Sequence, residues 1–509
     1  MKISRFLLSA VFSASLLCPS LSSADPIEVR SKNVIFVGDV SEEEGKQLVS
    51  NLEIYRNTII ALVGLKGRPD KKPLRVYGIK NEGKLTKFTD ISGIAGVYKN
   101  GLKGPVFVTT TKGGFDSGKW ASQVALHEYG HHVLHGMSQD HYPRWYDEGF
   151  ANYLSTFKIE GDIVTIGAPN VLHGRSLKEN RWMNPETVFR SIRNYPRTRN
   201  ISQFYGQSWL YVHYMQNHPE LGNKLPDYLA NLKSGQEPLQ AFEAAYGMTA
   251  REFHNLARGY WSEDAFPVLQ FKASEALLNP KMTIRPLTED EAILAFAEGE
   301  RNFMSKKKAK SLKKKYDKLA DSMAEALEVL IGQAHNTMYL EEYDTAKLLV
   351  GKALEKAPKN SDVLTLQGDI YYHELSDALF DSQKKKTIKK FPSDDKTKAV
   401  AAYFEEALSV DPNDYTAVTH LVNLYGRSNL PLTPIGETAV KTMSQSYLNP
   451  RHVGEHMDLA NIYERMGEMP KACAYFGIAK ARVESYEDKD VNDDFARVQA
   501  FDTAHPQCL

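Results

Sequence analysis

Two histidines four positions apart, His127 and His131, constrain this chain more than any other feature. Four residues are close to one helical turn, so both imidazoles share a face only if the segment is a helix. The stretch from Trp120 to His135 reads as one helix. That spacing suits two imidazole ligands on one zinc ion. Glu128, directly after the first histidine, suits a general base acting on the water such an ion activates.

A zinc site that works on a substrate needs a third protein ligand and an open fourth position. The segment Trp145-Tyr146-Asp147-Glu148-Gly149-Phe150-Ala151 begins a second helix just after Pro143, and Glu148 lies 17 positions past His131 (148 against 131). Gly149 and Ala151 are small enough to let this helix lie close against the first, which makes Glu148 the expected third ligand. Asn152, one turn further, is either an outer hydrogen-bond partner for a ligand histidine or a helix-surface amide. His132 and His135 are expected to be surface or outer-sphere residues, because a third ligand from the same helix fits a tetrahedron badly. The run Val106-Phe107-Val108, just ahead of the motif, is either an edge strand open to an extended substrate or an interior strand.

The rest of the chain divides into three regions. Residues 25 to about 115 mix short strands, such as Val34-Ile35-Phe36-Val37 and Leu74-Arg75-Val76-Tyr77, with a helix over Ser41 to Val63 that opens on a Ser41/Glu44 capping box. Gly93, Gly96, Gly101, Gly104 and Pro105 suggest a turn-rich approach to the third strand. Residues 116 to about 265 read as helical. From about 290 onward the chain reads as all-helical and repetitive. Ala353-Leu354-Glu355-Lys356-Ala357-Pro358 returns as Ala407-Leu408-Ser409-Val410-Asp411-Pro412, 54 positions later (407 against 353). A tetratricopeptide unit is about 34 residues, so an insertion in the lysine-rich stretch Lys384 to Lys398 is expected to supply the excess. Such pairs of helices stack because each leaves an apolar face that only a neighbour covers, and the stack presents a curved surface to peptides or proteins.

Lysine plus arginine and aspartate plus glutamate each total 63, so no global field argues for a nucleic-acid or anionic-membrane partner. The lysine clusters at Lys306 to Lys315 and Lys384 to Lys390 read as solvated helix faces, with an acidic partner as the alternative. Met1 to Ala24 reads as a secretory leader: a short basic start, an apolar run from Phe6 to Leu17, and small residues before Asp25. The run is too short to span a bilayer. A lipid anchor on Cys18 ranks lower, because Leu17 stands where a small residue is expected. Cys473 and Cys508 remain after leader removal, either as a disulfide suited to an oxidising compartment or as unrelated thiols.

Taken together, the motif residues resemble the gluzincin metallopeptidases, in the branch similar to aminopeptidase N. Members of that branch show HExxH, then a tryptophan-led helix with Glu-Gly-Phe-Ala, then a helix opening on Tyr-x-x-Gly or a close variant. Here these are His127 to His131, Trp145 to Ala151, and Tyr205-Gly206-Gln207-Ser208, with Ser208 where the aminopeptidases carry glycine. The resemblance covers roughly residues 90 to 260. It implies zinc ligands at His127, His131 and Glu148, a base at Glu128, and a transition-state hydrogen-bond donor at Tyr205. No Gly-x-Met-Glu-Asn string precedes His127, so the free-amine grip of an aminopeptidase is not implied, and an endopeptidase fits better.

The expected architecture is α+β. After a leader at 1–24, a mixed strand and helix part leads into a thermolysin-like helical peptidase domain at 25–270. A linker at 271–295 and an all-α array of tetratricopeptide-like repeats at 296–509 come next. The expected activity is exported, periplasmic or secreted, hydrolysis of peptide bonds with one Zn2+ per chain, the repeats holding a protein substrate or partner. The alternative is a repeat-based binding or envelope quality-control protein with a structural or inactive zinc site.

Overall fold

The computed structural model describes residues 25–63, 72–94, 96–111, 120–137, 142–169, 171–179, 182–191, 201–234, 236–263, 266–382, 389–445, 453–485 and 493–508. The expected leader with Cys18, and residues 383–388 of the lysine-rich insertion, lie outside them.

Strands β1 (Ile27–Arg30) and β2 (Val34–Gly38) lead into helix α1 (Glu42–Val63), β3 (Leu74–Ile79) into α2 (Glu82–Thr89), and the hairpin of β4 (Gly96–Gly101) and β5 (Gly104–Thr110) into α3 (Trp120–Met137). Helix α4 (Arg144–Leu154) and a second hairpin, β6 (Lys158–Glu160) with β7 (Ile163–Ile166), precede α5 (Val171–Glu179), α6 (Pro185–Phe189), α7 (Ile201–Asn217), α8 (Leu225–Lys233), α9 (Pro238–Tyr246) and α10 (Ala250–Ser262). Then come β8 (Leu269–Lys272), α11 (Glu275–Leu278), β9 (Thr283–Pro286) and α12 (Glu289–Glu300).

Among the described residues the larger sheet has six strands in the order β4-β5-β3-β2-β1-β9, with β2, β3 and β5 parallel and the outer strands antiparallel. Alternation along each strand splits its side chains between two cores. Val34, Phe36, Leu74, Val76 and Phe107 face α1 and α3, whereas Val37, Tyr77, Ile79, Val106 and Val108 face α2 and α12. The Ser41/Glu44 box forms as the sequence suggests, with Glu44 Oε2 accepting from the Ser41 amide and hydroxyl, each at 2.9 Å.

Three expectations change. The turn-rich approach contains β4, which pairs with β5 along its whole length and is the sheet's outer strand; β5, with Val106 to Val108, is interior. The helical stretch contains the β6–β7 hairpin, which joins β8 in a small second sheet. The stretch 271–295 is no free linker, because β9 pairs with β1 over Thr283 to Pro286 and closes the far edge of the large sheet.

From α12 on, the remaining elements are helical: α13 (Lys306–Met323), α14 (Leu327–Tyr339), α15 (Tyr343–Lys356), α16 (Ser361–Ser382), α17 (Asp395–Val410), α18 (Tyr415–Gly426), α19 (Pro434–Gln445), α20 (Val453–Arg465), α21 (Met469–Ser485) and α22 (Asp493–Ala504). Neighbouring helices pack on one another, and α14, α16, α18, α20 and α22 also pack in file, which is the stacking of a helical-repeat array. Helices α14 and α16 start 34 residues apart (327 and 361), and the 54-residue offset arises beyond that point, where α16 runs on for 22 residues before the chain reaches α17. Cys473 and Cys508 form a disulfide that ties the chain end to α21. Among the described residues the array joins the sheet through α12, through the β4–β5 hairpin, where Lys103 pairs with Glu298 at 2.9 Å and the Leu102 amide donates to Asn302 Oδ1 at 2.9 Å, and through Lys72. α12 lies on the sheet through Ala292 and Phe296, with Leu287 just before the helix, and a Cβ on Gly299 would meet Phe88 of α2 at 2.5 Å and Tyr77 of β3 at 2.9 Å. Lys72, just before β3, sits among Asp411 (3.2 Å), Asp414 (3.5 Å) and Asp362 (4.0 Å), from the heads of α16 and α18. No helix among the described residues is long and apolar enough to cross a membrane.

Candidate metal centre

Helix α3 forms around an apolar stripe. Leu126, Tyr129, Gly130, Val133 and Leu134 recur at helical spacing and are all buried. His127, Glu128, His131 and His132 fall between them and are half-buried. The Tyr55 hydroxyl, from α1, donates to the Leu126 carbonyl at 2.5 Å, and a Cβ on Gly130 would lie 3.0 Å from that same hydroxyl oxygen. Glycine at 130 thus admits the tyrosine anchor beside the motif.

Helix α4 is buried from Trp145 to Leu154, wedged between α3 and α7. Its small residues serve different neighbours. Ala151 lies against Gly130 of α3, while a Cβ on Gly149 would stand 2.2 Å from the Ser208 carbonyl oxygen of α7. The wedge sets Glu148 opposite the histidine pair.

His127 Nε2 lies 3.1 Å from His131 Nε2 and 3.1 Å from Glu148 Oε2, and His131 Nε2 lies 3.3 Å from Glu148 Oε2. These three atoms can hold one metal ion. A tetrahedral ion with ligands at about 2.0–2.1 Å spaces its donors about 3.3 Å apart, so the triangle has the right edge length. The glutamate side chain is 3% exposed and the two histidines are 15% and 16% exposed, so solvent reaches the site from the histidine side.

Asp147, next to Glu148, takes the other side of His131: its Oδ1 accepts from Nδ1 at 2.8 Å. A carboxylate only accepts, so the proton sits on Nδ1 and the lone pair of Nε2 turns towards Glu148 and His127. Arg144, one turn before, reaches Asp147 Oδ2 at 3.3 Å and Glu148 Oε1 at 3.4 Å. Both carboxylates also lie near the head of α4, where the helix dipole favours negative charge. Burial disfavours charge on His131 and on Glu148. The carboxylates of Asp147 and Glu148 outweigh this and hold His131 well above the ordinary imidazole range, and the two histidines hold Glu148 well below the carboxylate range. The pocket therefore calls for positive charge at the triangle, which a divalent cation or a proton can supply.

The structure brings the expected His127, His131 and Glu148 together. Glu128 is half-buried beside them on α3. Asn152 is buried, and its amide nitrogen has no hydrogen-bond partner among the described residues; the hydrogen bond anticipated for it is made by Asp147. Tyr205 is half-buried in the first turn of α7, one turn before the Ser208 carbonyl that packs on Gly149, with its ring 6.2 Å from Phe204. The side chain of His135 lies outside the described residues, whereas the His132 ring stacks on Tyr129 at 6.0 Å.

Three residues near the site were not anticipated. Asp147 and Arg144 carry no spacing rule of their own, since acidic and basic residues are common in a first helical turn. His173 of α5 is the third. Burial, and then the nearby His127, lower its pKa to about 4, so it is neutral at pH 7, and its ring stacks on Trp209 at 6.5 Å. A lone histidine 25 positions past Glu148 has no sequence signature (173 against 148).

No protein-family model matches the chain, and no curated protein matches it. Similar solved structures are helical-repeat proteins. They include a thermophilic TPR protein of Thermus thermophilus, at 14% identity over 38% of this chain and 92% of that one, with a TM-score of 0.26. The human IFIT1 dimer with PPP-AAAA aligns at 12% identity over 60% and 70%, with a TM-score of 0.22, and a monomeric IFIT1 mutant with Gppp-AAAA at 13% over 60% and 72%, with a TM-score of 0.22. Scores this low carry no argument about activity or ligand.

Proposed function

We propose that the chain is an exported zinc-dependent hydrolase of peptide bonds, of the gluzincin kind, whose helical repeats hold its protein substrate or a partner. The observation that carries this is the triangle of His127 Nε2, His131 Nε2 and Glu148 Oε2, with edges of 3.1 to 3.3 Å. When bound, a zinc ion would supply Lewis acidity to a water and to the scissile carbonyl. The chain's own residues do the rest. Asp147 orients His131, and Arg144 steadies both carboxylates. Glu128 accepts a proton from the attacking water and delivers it to the leaving amine. Tyr205 offers its hydroxyl to the developing oxyanion, and neutral His173 is a second candidate donor near His127. Export is supported by the leader-like start and by the Cys473–Cys508 disulfide, which suits an oxidising compartment.

The second reading is a repeat-based binding protein with a structural zinc site. The array from α12 to the chain end favours it. Against it, structural zinc is closed by four protein ligands, whereas three donors converge here among the described residues. The test compares wild type with Glu128→Gln for bound zinc and for cleavage of unfolded casein. The variant is expected to keep one zinc and to lose at least about 100-fold in cleavage. A wild type that holds stoichiometric zinc and cleaves no better than the variant would overturn the hydrolase.

A further inference from the structure

Strand β4 touches the array with one face and the metal-centre helix with the other. Successive side chains of a strand point to opposite faces of its sheet. Val97 and Lys99 lie on the face of α12. Val97 joins the cluster that holds Phe296 and Phe303, and the Lys99 ammonium donates to the Asn302 carbonyl at 2.5 Å and stands 5.2 Å from the centre of the Phe303 ring. Tyr98, between them, joins the core on the opposite face, with its ring 6.0 Å from that of His132. His132 directly follows the expected ligand His131 and stacks on Tyr129.

Asn302 and Phe303 belong to the short helical turn, Arg301–Phe303, between α12 and α13. That turn also grips the tip of the β4–β5 hairpin. Asn302 Oδ1 accepts from the Leu102 amide at 2.9 Å, while its Nδ2 donates to the carbonyls of Glu298 at 3.1 Å and Gly299 at 3.0 Å. Lys103 pairs with Glu298 at 2.9 Å, with both side chains largely out of solvent. A Cβ on Gly101 would collide with Asn302 Oδ1, so the tip sits close against the turn. β4 has a ladder to β5 alone, and α3 rests on these two strands of the large sheet. An edge strand held by one ladder takes its position from what packs on its faces.

We propose that the β4–β5 hairpin couples the array to the candidate metal centre. A movement of the array passes from the Asn302 turn along β4 to Tyr98, and shifts the helix that carries His127 and His131. Such coupling travels through hydrogen bonds, packed side chains and stiff elements in contact, and each link here is of that kind. The seat at Lys72 lies off this route, because it precedes β3, one strand further in than β5. The inference rests on the metal centre within the proposed function, and not on hydrolysis.

The test is hydrogen exchange, read by mass spectrometry, on the full chain without zinc. Asn302→Ala removes the acceptor of the Leu102 amide, and exchange in peptides from α3 is expected to rise about three- to tenfold, the factor of about one lost hydrogen bond. Lys72→Met keeps the side-chain stem against Gly104 and drops its three aspartate contacts. It is expected to loosen the heads of α16 and α18 while α3 stays within about twofold of wild type. In a Tyr98→Ala background, which cuts the route at its far end, Asn302→Ala is expected to add less than about twofold at α3. Peptides from α8 and α9, remote from the hairpin, report any general loss of stability. Unchanged exchange at α3 in Asn302→Ala overturns the proposal. So does an equal rise at α8 and α9, an equal rise at α3 in Lys72→Met, or the full rise retained in Tyr98→Ala. Because the readout needs neither zinc nor cleavage, it fails or succeeds independently of the hydrolase.

Discussion

Asp147→Asn tests the geometry of the candidate metal centre at the point where structure and sequence disagree. The wild-type carboxylate is buried, accepts from His131 Nδ1 at 2.8 Å, and takes Arg144 at 3.3 Å on its other oxygen. Asparagine keeps the shape and one acceptor oxygen but removes the charge that fixes the imidazole tautomer and raises its basicity. Loss of such an outer partner weakens metal binding about 10- to 100-fold, or about 1.4 to 2.7 kcal/mol. Asparagine belongs at the low end and Asp147→Ala at the high end. Zinc affinity by competition with a chromophoric chelator at fixed pH measures this directly. The stabilisation that zinc confers in a melt should fall by the same amount, since ligand and folding are linked. Asn152→Ala is the matched control, because Asn152 bonds to neither histidine and should leave zinc affinity within about twofold. If Asp147→Ala holds zinc as tightly as wild type, or if Asn152→Ala weakens it more, the assignment of the orienting carboxylate is refuted.

Gly149→Ala would set a methyl group 2.2 Å from the Ser208 carbonyl, forcing α4 from α7. A loss of about 1–3 kcal/mol in a urea titration is expected, with reduced zinc content because Glu148 shifts with the helix. Asp414 has its carboxyl pushed up to about 6 by burial, against Lys72 and the Ala417 amide, with Asp362 and Asp369 adding to the rise. A folded pKa above the unfolded one stabilises the fold while the group is protonated; that contribution is full below about pH 4 and is lost as pH rises through about 6. Wild type should therefore lose up to about 3 kcal/mol relative to Asp414→Asn between those limits, and parallel pH profiles of the two would contradict it. The Cys473–Cys508 bond closes a separation of 35 residues, so Cys473→Ser or reductant should lower the stability of the last helices by about 3–4 kcal/mol in calorimetry.

What could be read in the chain was what local periodicity encodes. The helix of His127 and His131 declared itself because its core stripe, Leu126 to Leu134, has the helical period, and strands β2, β3 and β5 because they are short apolar runs. β4 was lost because Gly96 and Gly101 bracket it and its face depends on a partner strand, a non-local fact. β9, at Thr283 to Pro286, has exposed side chains at every position but the half-exposed Ile284 and ends in proline, so nothing in its own composition marks it as the sheet's edge. The repeat array was legible in outline, since stacked helix pairs recur in sequence, but its seat on the sheet rests on residues ordinary in isolation, among them Lys72, Lys103, Gly299 and Asn302.

The same division explains why Glu148 was legible and Asp147 was not. Adjacent residues on a helix point about 100° apart, so both carboxylates can reach one imidazole only if the ring stands across the axis of their helix at close range. That is the arrangement at His131: Asp147 holds Nδ1 at 2.8 Å and Glu148 faces Nε2 at 3.3 Å. Such an approach requires α4 to be pressed against α3 and held there from behind. Gly130 and Ala151 allow the first, and Gly149 against Ser208 provides the second. The small residues around Glu148 are thus part of the ligand geometry, and enlarging any of them should disturb the zinc site as surely as changing a ligand.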